Sequence, residues 1–574
     1  MLKGELRNLI IKAKGDKNAQ LVLKNANIIN VFTAEIINGD IAIDAGKIVG
    51  IGKYTGDLEI DLDGKYVSPG FIDSHVHIES SMSTPTEFAK AVIPRGVTSI
   101  ISDPHEIANI KGLDGIRYMI EDSKNTPLDV YIMLPSCVPS TSFENAGAIL
   151  EAEDLKQLLD NEFVIGLGEM MNYPGVISLD DKILDKLVLG KDMVIDGHGP
   201  MIKDKELNSY VVAGIKTEHE ASTVGEVIDR LRLGMYILLR EGSAARDLRN
   251  IISAVNKDNL RRFLFCTDDK HPEDLIGEGS IDFNIKLAIQ AGIDPIDAIR
   301  MATLNSAECY GLKNKGAIAP GYKADLVVID NLDDFNILKV FKDGELVAEN
   351  NKSLFNAKTY LPDYMKNSVN IKDIELIDIQ IPMKTNKANI ISVVEGSLVT
   401  EKIIKEVKID DGYFNYSNND ILKLVVVERH SGTGNIGVGL IKNFQLKNGA
   451  IALTVAHDSH NLIVIGDNDK DILLAIKEVE RIGGGIALIS CGKVLKNLEL
   501  EIGGIMTSKP IEQTNATLKE MMRISYEQLK VNPAIDPFMT LSFMALPVIP
   551  KVKLTDMGLF DVEKFEFIKV YNED

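Results

Sequence analysis

The sequence predicts an α/β protein: a (β/α)8 TIM-type barrel with a discontinuous flanking β-sandwich domain and a C-terminal α+β domain. Eight short apolar runs alternate with longer amphipathic stretches, which is typical of βα units around a parallel sheet. This region extends from Pro69 to about Lys315, some 247 residues, and such barrels take about 250. An open doubly wound sheet is the competing architecture, but strand number and span favour the barrel.

The flanking sandwich is predicted at both ends of the barrel. Residues 1–68 contain short runs in which apolar residues roughly alternate, punctuated by glycines such as Gly39, and this alternation indicates half-buried strands. A similar pattern recurs over 318–360, beginning near Gly321. We therefore predict one discontinuous domain, 1–68 plus 318–360, that brackets the barrel at 69–317.

Eight apolar runs are the predicted barrel strands: 67–73, 97–102, 130–134, 163–167, 193–196, 214–217, 235–239 and 263–266. The third domain is predicted at 380–574, after a polar boundary. It contains a β-like run at 422–427 and helical spacing over 470–482.

Composition excludes several classes of protein. The chain has 574 residues, with 63 Lys and Arg against 84 Asp and Glu, a net charge of −21; because no basic patch interrupts this acidity, we expect no nucleic-acid partner. The four cysteines are scattered and form no C-x-x-C pair, which argues against disulfides and structural zinc. A signal-peptide core and apolar runs of about 18 residues are missing, so we expect a cytoplasmic protein without a membrane partner.

Residues that commonly bind metals follow the predicted strand ends, where the active site of such a barrel is built. His75 and His77 are two apart on a strand, so both rings point to the same face. The candidate ligands are His75, His77, Glu169, His198, His219 and Asp268. Six ligands exceed the three that a catalytic zinc site takes from the protein, which indicates two metals sharing a bridging carboxylate. Taken singly, His198 or His219 could instead be a structural histidine with no role in metal binding, and Glu169 could be a buried ion-pair partner.

A binuclear centre predicts hydrolysis. Two cations a few ångströms apart lower the pKa of a bridging water and hold the resulting hydroxide against an electrophilic carbon. Asp268 can ligate one metal, accept the proton of the hydroxide and pass it to the leaving group.

The order of these residues resembles the amidohydrolase superfamily, with His-x-His after strand one, an acid after strand four, histidines after strands five and six, and Asp after strand eight. Glu169 stands where many relatives carry a carboxylated lysine, which argues against the hydantoinase and dihydroorotase branch. More narrowly, five segments resemble the bacterial adenine deaminase family: 69–82, 102–109, 266–272, 429–435 and 455–461. The resemblance extends over nearly the whole chain.

This resemblance implies a purine-salvage enzyme that converts adenine to hypoxanthine and ammonia with two divalent metal ions per subunit. Manganese or iron would be preferred, zinc would also suit the ligands, and the expected assembly is a homodimer. Asp268 and Glu220 are the candidate catalytic residues. The candidates for contact with the purine are Asp269, Asp103, His105 and Glu106.

Each of these roles has an alternative. Asp269 could instead cap a helix N-terminus, and Glu220 and Glu106 could orient neighbouring histidines. A cyclic-amide or N-acyl amidohydrolase would use the same centre, and a catalytically dead assembly module is the non-enzyme alternative. The other class of zinc-dependent deaminase is excluded. It needs His-x-Glu together with Pro-Cys-x-x-Cys, and the cysteines of this chain form no C-x-x-C pair.

The C-terminal domain contributes three histidines, His430, His457 and His460. They are predicted either to contact the barrel mouth or to be solvated loop residues. Gly432, in a G-x-G-x-x-G pattern, lacks the βαβ context of a dinucleotide site, so the pattern predicts a glycine-rich turn.

Overall fold

Eight parallel strands surround the centre of the molecule in the computed structural model, which describes residues 2–416 and 420–573. We number them barrel strands 1 to 8: Phe71–Val76, Val97–Ser102, Asp129–Leu134, Val164–Met170, Val194–Gly197, Thr217–Glu218, Tyr236–Arg240 and Phe263–Cys266. Their apolar runs are nearly continuous because both faces of a parallel sheet are buried.

The ring of strands is closed. Continuous ladders join strands 1 to 5 and strands 6 to 8 in sequence order. Two parallel bridges complete the circle. Ile195 of strand 5 pairs with Ile215, just before strand 6, and Val76 of strand 1 pairs with Asp268, just after strand 8. The predicted barrel is therefore confirmed, and the open doubly wound sheet is not formed.

Barrel strand 1 begins later than the sequence predicts. The apolar run 67–73 is divided at Gly70, whose N–H donates to the carbonyl of Asp325 at 2.8 Å. A Cβ at Gly70 would lie 2.2 Å from the hydroxyl of Thr98, so only glycine allows this close approach. The residues before Gly70 belong to the flanking sheet and those after it belong to the barrel.

Helices cover the outside of the barrel. Several begin with proline in the first turn, where its missing N–H has no intrahelical partner to lose. Their bounds are Pro85–Val92, His105–Ser123, Ala152–Leu155, Tyr173–Ser178, Asp181–Leu189, Asp204–Val212, Val224–Arg232, Leu248–Ile251, Pro272–Gly277, Ile281–Gln290, Pro295–Met301 and Leu304–Cys309.

The flanking sheet draws strands from both sides of the barrel sequence. Tyr66–Pro69 pairs antiparallel with Leu326–Ile329, which joins the two flanks, and helix Lys3–Ala13 precedes the first strand. The remaining strands are Ala19–Asn30, Glu35–Asp44, Lys47–Gly52, Gly56–Asp61, Ile337–Lys342, Glu345–Glu349 and Lys352–Ser353. The exact domain boundaries stay predictions.

The C-terminal region is built on an eight-stranded sheet with helix Asp469–Ile482 packed against it. Its strands are Lys387–Val393, Thr400–Glu406, Ile421–Val427, Ile436–Lys442, Gly449–Leu453, Leu462–Gly466, Gly485–Ser490 and Lys493–Glu499. Small sheets and two further helices complete it: Lys408–Asp410, Tyr413–Asn415, Ile511–Glu527, Pro537–Ser542, Val552–Thr555, Gly558–Asp561 and Glu566–Phe567.

The C-terminal region packs on the mouth of the barrel, where the loops after strands 1 to 3 lie. The Thr507 N–H donates to the Met82 carbonyl at 3.0 Å. The Asn461 amide donates to the Asn145 carbonyl at 2.7 Å, and the Asn145 amide donates to Asp556 at 2.6 Å. Among the described residues, no helix is long and apolar enough to cross a membrane.

Candidate metal centre and active site

All six predicted metal ligands converge at the carboxyl ends of the barrel strands. The Nε2 atoms of His75 and His77 lie 3.1 Å apart. Asp268 follows strand 8, and its Oδ1 lies 3.0 Å from His77 Nε2 and 3.6 Å from His75 Nε2. These three side chains therefore point their donor atoms at one small space.

Glu169 joins this group to a second one. Its Oε1 lies 3.4 Å from His77 Nε2. Its Oε2 lies 2.7 Å from His198 Nδ1 and 3.1 Å from His219 Nε2. The two oxygens of one carboxylate thus face two sets of histidines, which is the arrangement that a carboxylate bridging two cations requires.

The donor spacing fits bound cations. Two ligands on one cation at a bond length of about 2.1 Å lie about 3.0 Å apart in octahedral and about 3.4 Å apart in tetrahedral geometry. The donor separations around Asp268 and Glu169 run mostly from 3.0 to 3.6 Å. His75, His77, Asp268 and Glu169 form one candidate set, and Glu169, His198 and His219 form the other.

The electrostatics of the centre favour positive charge. Burial alone would lower the pKa of His75, but the nearby carboxylates of Asp196 and Asp268 raise that pKa to about 10. Similarly, Glu220 and Glu169 overcome burial and raise the pKa of His198 to about 9. Burial would raise the pKa of Glu169, yet its histidine neighbours hold it well below the ordinary value. Surplus carboxylate charge, which draws protons here, is also what attracts divalent cations.

Further contacts orient the ligands. Asp196 Oδ2 faces His75 Nδ1 at 3.8 Å, beyond hydrogen-bond distance, and the other Asp196 oxygen accepts from the Tyr310 hydroxyl at 3.0 Å. His77 Nδ1 bonds to the carbonyl of Asp103 at 2.9 Å. Bonds of this kind set the ring tautomer and direction at metal sites.

Asp103, predicted to contact the purine, lies under Glu169. Its Oδ2 accepts from the Glu169 N–H at 2.9 Å, and the residue is fully buried. A Cβ at residue 168 would lie 2.1 Å from this carboxylate, so Gly168 lets the strand pass close to it. The position of Asp103 therefore supports Glu169.

Asp269 is not a helix cap. The next helix begins at Pro272 with His271 at its N-cap position, and Asp269 Oδ1 instead accepts from the Ser80 hydroxyl at 2.5 Å. This bond links the loop after strand 8 to the loop after strand 1, on the rim of the candidate site.

The two remaining purine candidates lie side by side. His105 Nδ1 is 3.3 Å from Glu169 Oε1, and its ring packs edge-on against His77 with centroids 4.5 Å apart. The Glu106 carboxylate, in contrast, bonds to His457 and His460 of the C-terminal region. These two tail histidines are buried against the barrel mouth, and the expectation of solvated loop histidines is wrong for them.

Arg240 is a site residue that the sequence reasoning missed. It ends barrel strand 7, and its Nη1 donates to Asp268 Oδ2 at 2.9 Å and to Glu220 Oε1. Its Nη2 donates to Asp247 at 2.9 Å. The rule that located the metal ligands, a polar residue at the end of a barrel strand, also applies to Arg240 on strand 7.

The fold and the centre together define a metal-dependent hydrolase of the amidohydrolase type. The family described as "Amidohydrolase family" matches residues 66–347, and "Adenine deaminase C-terminal domain" matches residues 397–566. The chain belongs to the adenine deaminase family: it is 53% identical to the adenine deaminase of Clostridium acetobutylicum, over 97% of this chain and 99% of that protein. Divalent-metal binding is a property of the superfamily.

Other similar proteins match either the whole chain or a part of it. Adenine deaminase 2 of Carboxydothermus hydrogenoformans is 49% identical over 98% of this chain and 99% of its own. Among solved structures, the beta-aspartyl dipeptidase of Fervidobacterium islandicum AW-1 has a TM-score of 0.45 and 19% identity, covering 58% of this chain and 98% of that chain.

Proposed function

We propose that this chain catalyses the hydrolytic deamination of adenine to hypoxanthine and ammonia, as a step of purine salvage. The observation that carries the proposal is the Glu169 carboxylate, whose two oxygens face two sets of histidines while Asp268 faces one of them. The choice of adenine as the substrate rests on the full-length relatives named above, which are adenine deaminases.

The centre would hold two divalent cations per subunit. His75, His77 and Asp268 would bind one, His198 and His219 the other, with Glu169 between them. Mn²⁺ or Fe²⁺ is the proposed native metal, and Zn²⁺ suits the same imidazole and carboxylate ligands. When bound, the cations lower the pKa of water toward neutrality and stabilise negative charge, which hydrolysis at neutral pH requires.

Asp268 is the proposed proton carrier. It would accept a proton from the attacking water and deliver it to the amino nitrogen of adenine, while Arg240 holds its Oδ2. The C6–O bond forms, the C6–N bond breaks, and the nitrogen leaves as ammonia with one proton of the water, while the other proton ends on N1 of hypoxanthine. Glu220, held by Arg240 on the same rim, is the proposed second catalytic carboxylate.

Purine contacts are proposed for the residues on the rim of the centre. Asp269 and Glu106 carry carboxylates that accept ring N–H groups, and His105 lies between Glu106 and Glu169. Asp103 would act at the same face through the Glu169 backbone. Of these groups, His105 can donate an N–H and would stabilise the negative charge that develops on the ring during attack at C6.

The setting of the reaction follows from composition and resemblance. We propose a cytoplasmic homodimer that acts on a small molecule and binds neither nucleic acid nor membrane. The proposed domains are 1–68 with 318–360, 69–317 and 380–574.

Ammonia release from adenine by manganese-reconstituted protein tests the proposal, with metal content measured on the same sample. Two metal ions per chain and activity on adenine above adenosine and cyclic amides are expected. Chelated protein restored with Mn²⁺ is the control. If the protein binds two metals but hydrolyses only cyclic amides or N-acyl substrates, the amidohydrolase alternative replaces the proposal. The full-length similarity to adenine deaminases favours the proposal over this alternative.

A further inference from the structure

The segment Ala456 to Asn461 of the C-terminal region carries two histidines whose roles the metal centre does not explain. Both side chains are buried, His457 at 4% and His460 at 1% exposure. They bond to the two oxygens of the same barrel carboxylate, Glu106. Because some 350 residues of sequence separate the partners, the contact exists only when the C-terminal region is docked on the barrel.

Both histidines present an N–H to Glu106. His460 Nδ1 accepts from the Ala456 N–H at 3.1 Å, so the ring proton must be on Nε2, which faces Glu106 Oε2. His457 Nδ1 lies 2.5 Å from Glu106 Oε1. The carboxylate can only accept, so each contact is a histidine N–H donated to a carboxylate oxygen.

Glu106, His457 and His460 also lie close enough together to hold a cation. In this structure both of their contacts are hydrogen bonds, and each oxygen of Glu106 keeps a lone pair for a further donor. Burial would raise the pKa of Glu106, but His457, His460 and His105 outweigh burial and keep the pKa well below the ordinary value.

Glu106 is also connected to the catalytic centre. His105 Nε2 lies 3.6 Å from Glu106 Oε1, and His105 Nδ1 lies 3.3 Å from Glu169 Oε1. On the far side, the ring of His457 stacks on Phe543 with centroids 4.5 Å apart. A contiguous set of side chains therefore runs from the C-terminal region through Glu106 to the bridging glutamate.

We propose that His457 and His460 are positioning residues of the active site, which clamp Glu106 so that it contacts the purine in a fixed orientation. This inference rests on the proposed function. It means that the C-terminal region completes the substrate-binding side of the barrel mouth, although none of its residues belongs to the candidate metal centre.

The test compares variants that remove the donors with variants that keep them. His457→Ala and His460→Ala remove a donor to Glu106. His457→Asn keeps an N–H near the Nδ1 position, and His460→Gln keeps one near the Nε2 position. His430→Ala is the matched control, because His430 bonds to the Ser459 carbonyl at 2.8 Å and not to Glu106.

We expect each alanine variant to lower kcat/KM for adenine by about 10- to 100-fold, the effect of losing one charge-assisted hydrogen bond, mainly through KM. The Asn and Gln variants should recover to within about fivefold, and His430→Ala should stay within about threefold. Metal content should remain two per chain, and hydrogen exchange of residues 456–461 should increase in the alanine variants. Glu106→Gln should increase that exchange as well, which provides a readout independent of turnover.

Two results would overturn the clamp in a protein that deaminates adenine. The first is alanine variants with wild-type kcat/KM and wild-type exchange. The second is a wild type with three metals per chain that falls to two in His457→Ala, which would make the cluster a cation site. If the wild type does not deaminate adenine, the proposed function fails, and unchanged exchange in Glu106→Gln would then separately overturn the clamp.

Discussion

Replacing Arg240 with lysine tests whether the guanidinium positions the proposed proton carrier. The fork of Arg240 bonds to Asp268 Oδ2 and Glu220 through Nη1 and to Asp247 through Nη2. A lysine keeps the positive charge but has a single nitrogen and no fork. It cannot hold the two rim carboxylates and Asp247 at the same time.

The expected loss follows from one charge-assisted hydrogen bond in a buried setting. Such a bond contributes about 1.5–3 kcal/mol, and 1.36 kcal/mol corresponds to a factor of ten in rate. Arg240→Lys should therefore lower kcat/KM for adenine by about 10- to 150-fold. The decrease should be mainly in kcat, because Asp268 acts in the reaction rather than in holding the base.

The assay is ammonia release by manganese-reconstituted enzyme with metal content measured in parallel. Arg246→Lys is the matched control: this arginine, in the same loop, bonds to Glu278 at 2.7 Å and Asp274 at 3.1 Å without reaching Asp268. It should stay within about threefold of the wild type. Equal activities of the two variants would refute the positioning role, as would a loss in Arg240→Lys that excess Mn²⁺ fully reverses.

Asp268→Asn should reduce turnover by about 10³-fold or more while the circular dichroism spectrum is unchanged, because an amide cannot accept the proton; retained turnover would remove Asp268 from this role. Lys553→Met should stabilise the protein. Burial lowers the pKa of Lys553 to about 7, so between pH 7 and about 10.5 the unfolded chain binds more protons than the folded chain, and the stability of the wild type rises with pH. The gain from the substitution should therefore fall from about 4 kcal/mol at pH 7 to about 2 kcal/mol at pH 9. Urea unfolding at both pH values measures it, and a gain that does not vary with pH would contradict the reasoning. Asp325→Asn should lower the free energy of unfolding by about 2 kcal/mol at pH 7, because Lys315 and Lys342 outweigh burial and lower the pKa of Asp325 to about 2. This stabilisation is present above about pH 4 and is lost as the pH falls toward 2, so the loss at pH 3 should be about half as large. Equal losses at pH 7 and pH 3 would contradict the prediction.

Much of the barrel could be predicted because its signals are local. Each barrel strand is an apolar run a few residues long, and the residue after it faces the mouth whatever the rest of the chain does. His75, His77, His198, His219 and Asp268 were located by this rule alone. The start of strand 1 was not, because apolarity continues through Gly70 and does not record that the backbone there passes from one sheet to another.

Contacts between distant segments could not be predicted in the same way. The bonds of Glu106 to His457 and His460 depend on how the C-terminal sheet docks on the barrel, and no periodicity in either segment encodes that placement. Arg240 was missed for a different reason. Its position at a strand end was visible, but arginine is not a metal ligand, and its partners become apparent only when the barrel closes.

Glu169 and Glu106 show why residue type alone does not define a metal site. Each is a buried glutamate whose two oxygens lie close to different histidines. Around Glu169, five further donor side chains converge, enough for two cations to share its oxygens: His75, His77, His198, His219 and Asp268. Around Glu106, two histidine N–H groups bond to the two oxygens. The number of donor side chains that converge, rather than the presence of histidine and glutamate, therefore separates the candidate metal centre from the clamp beside it.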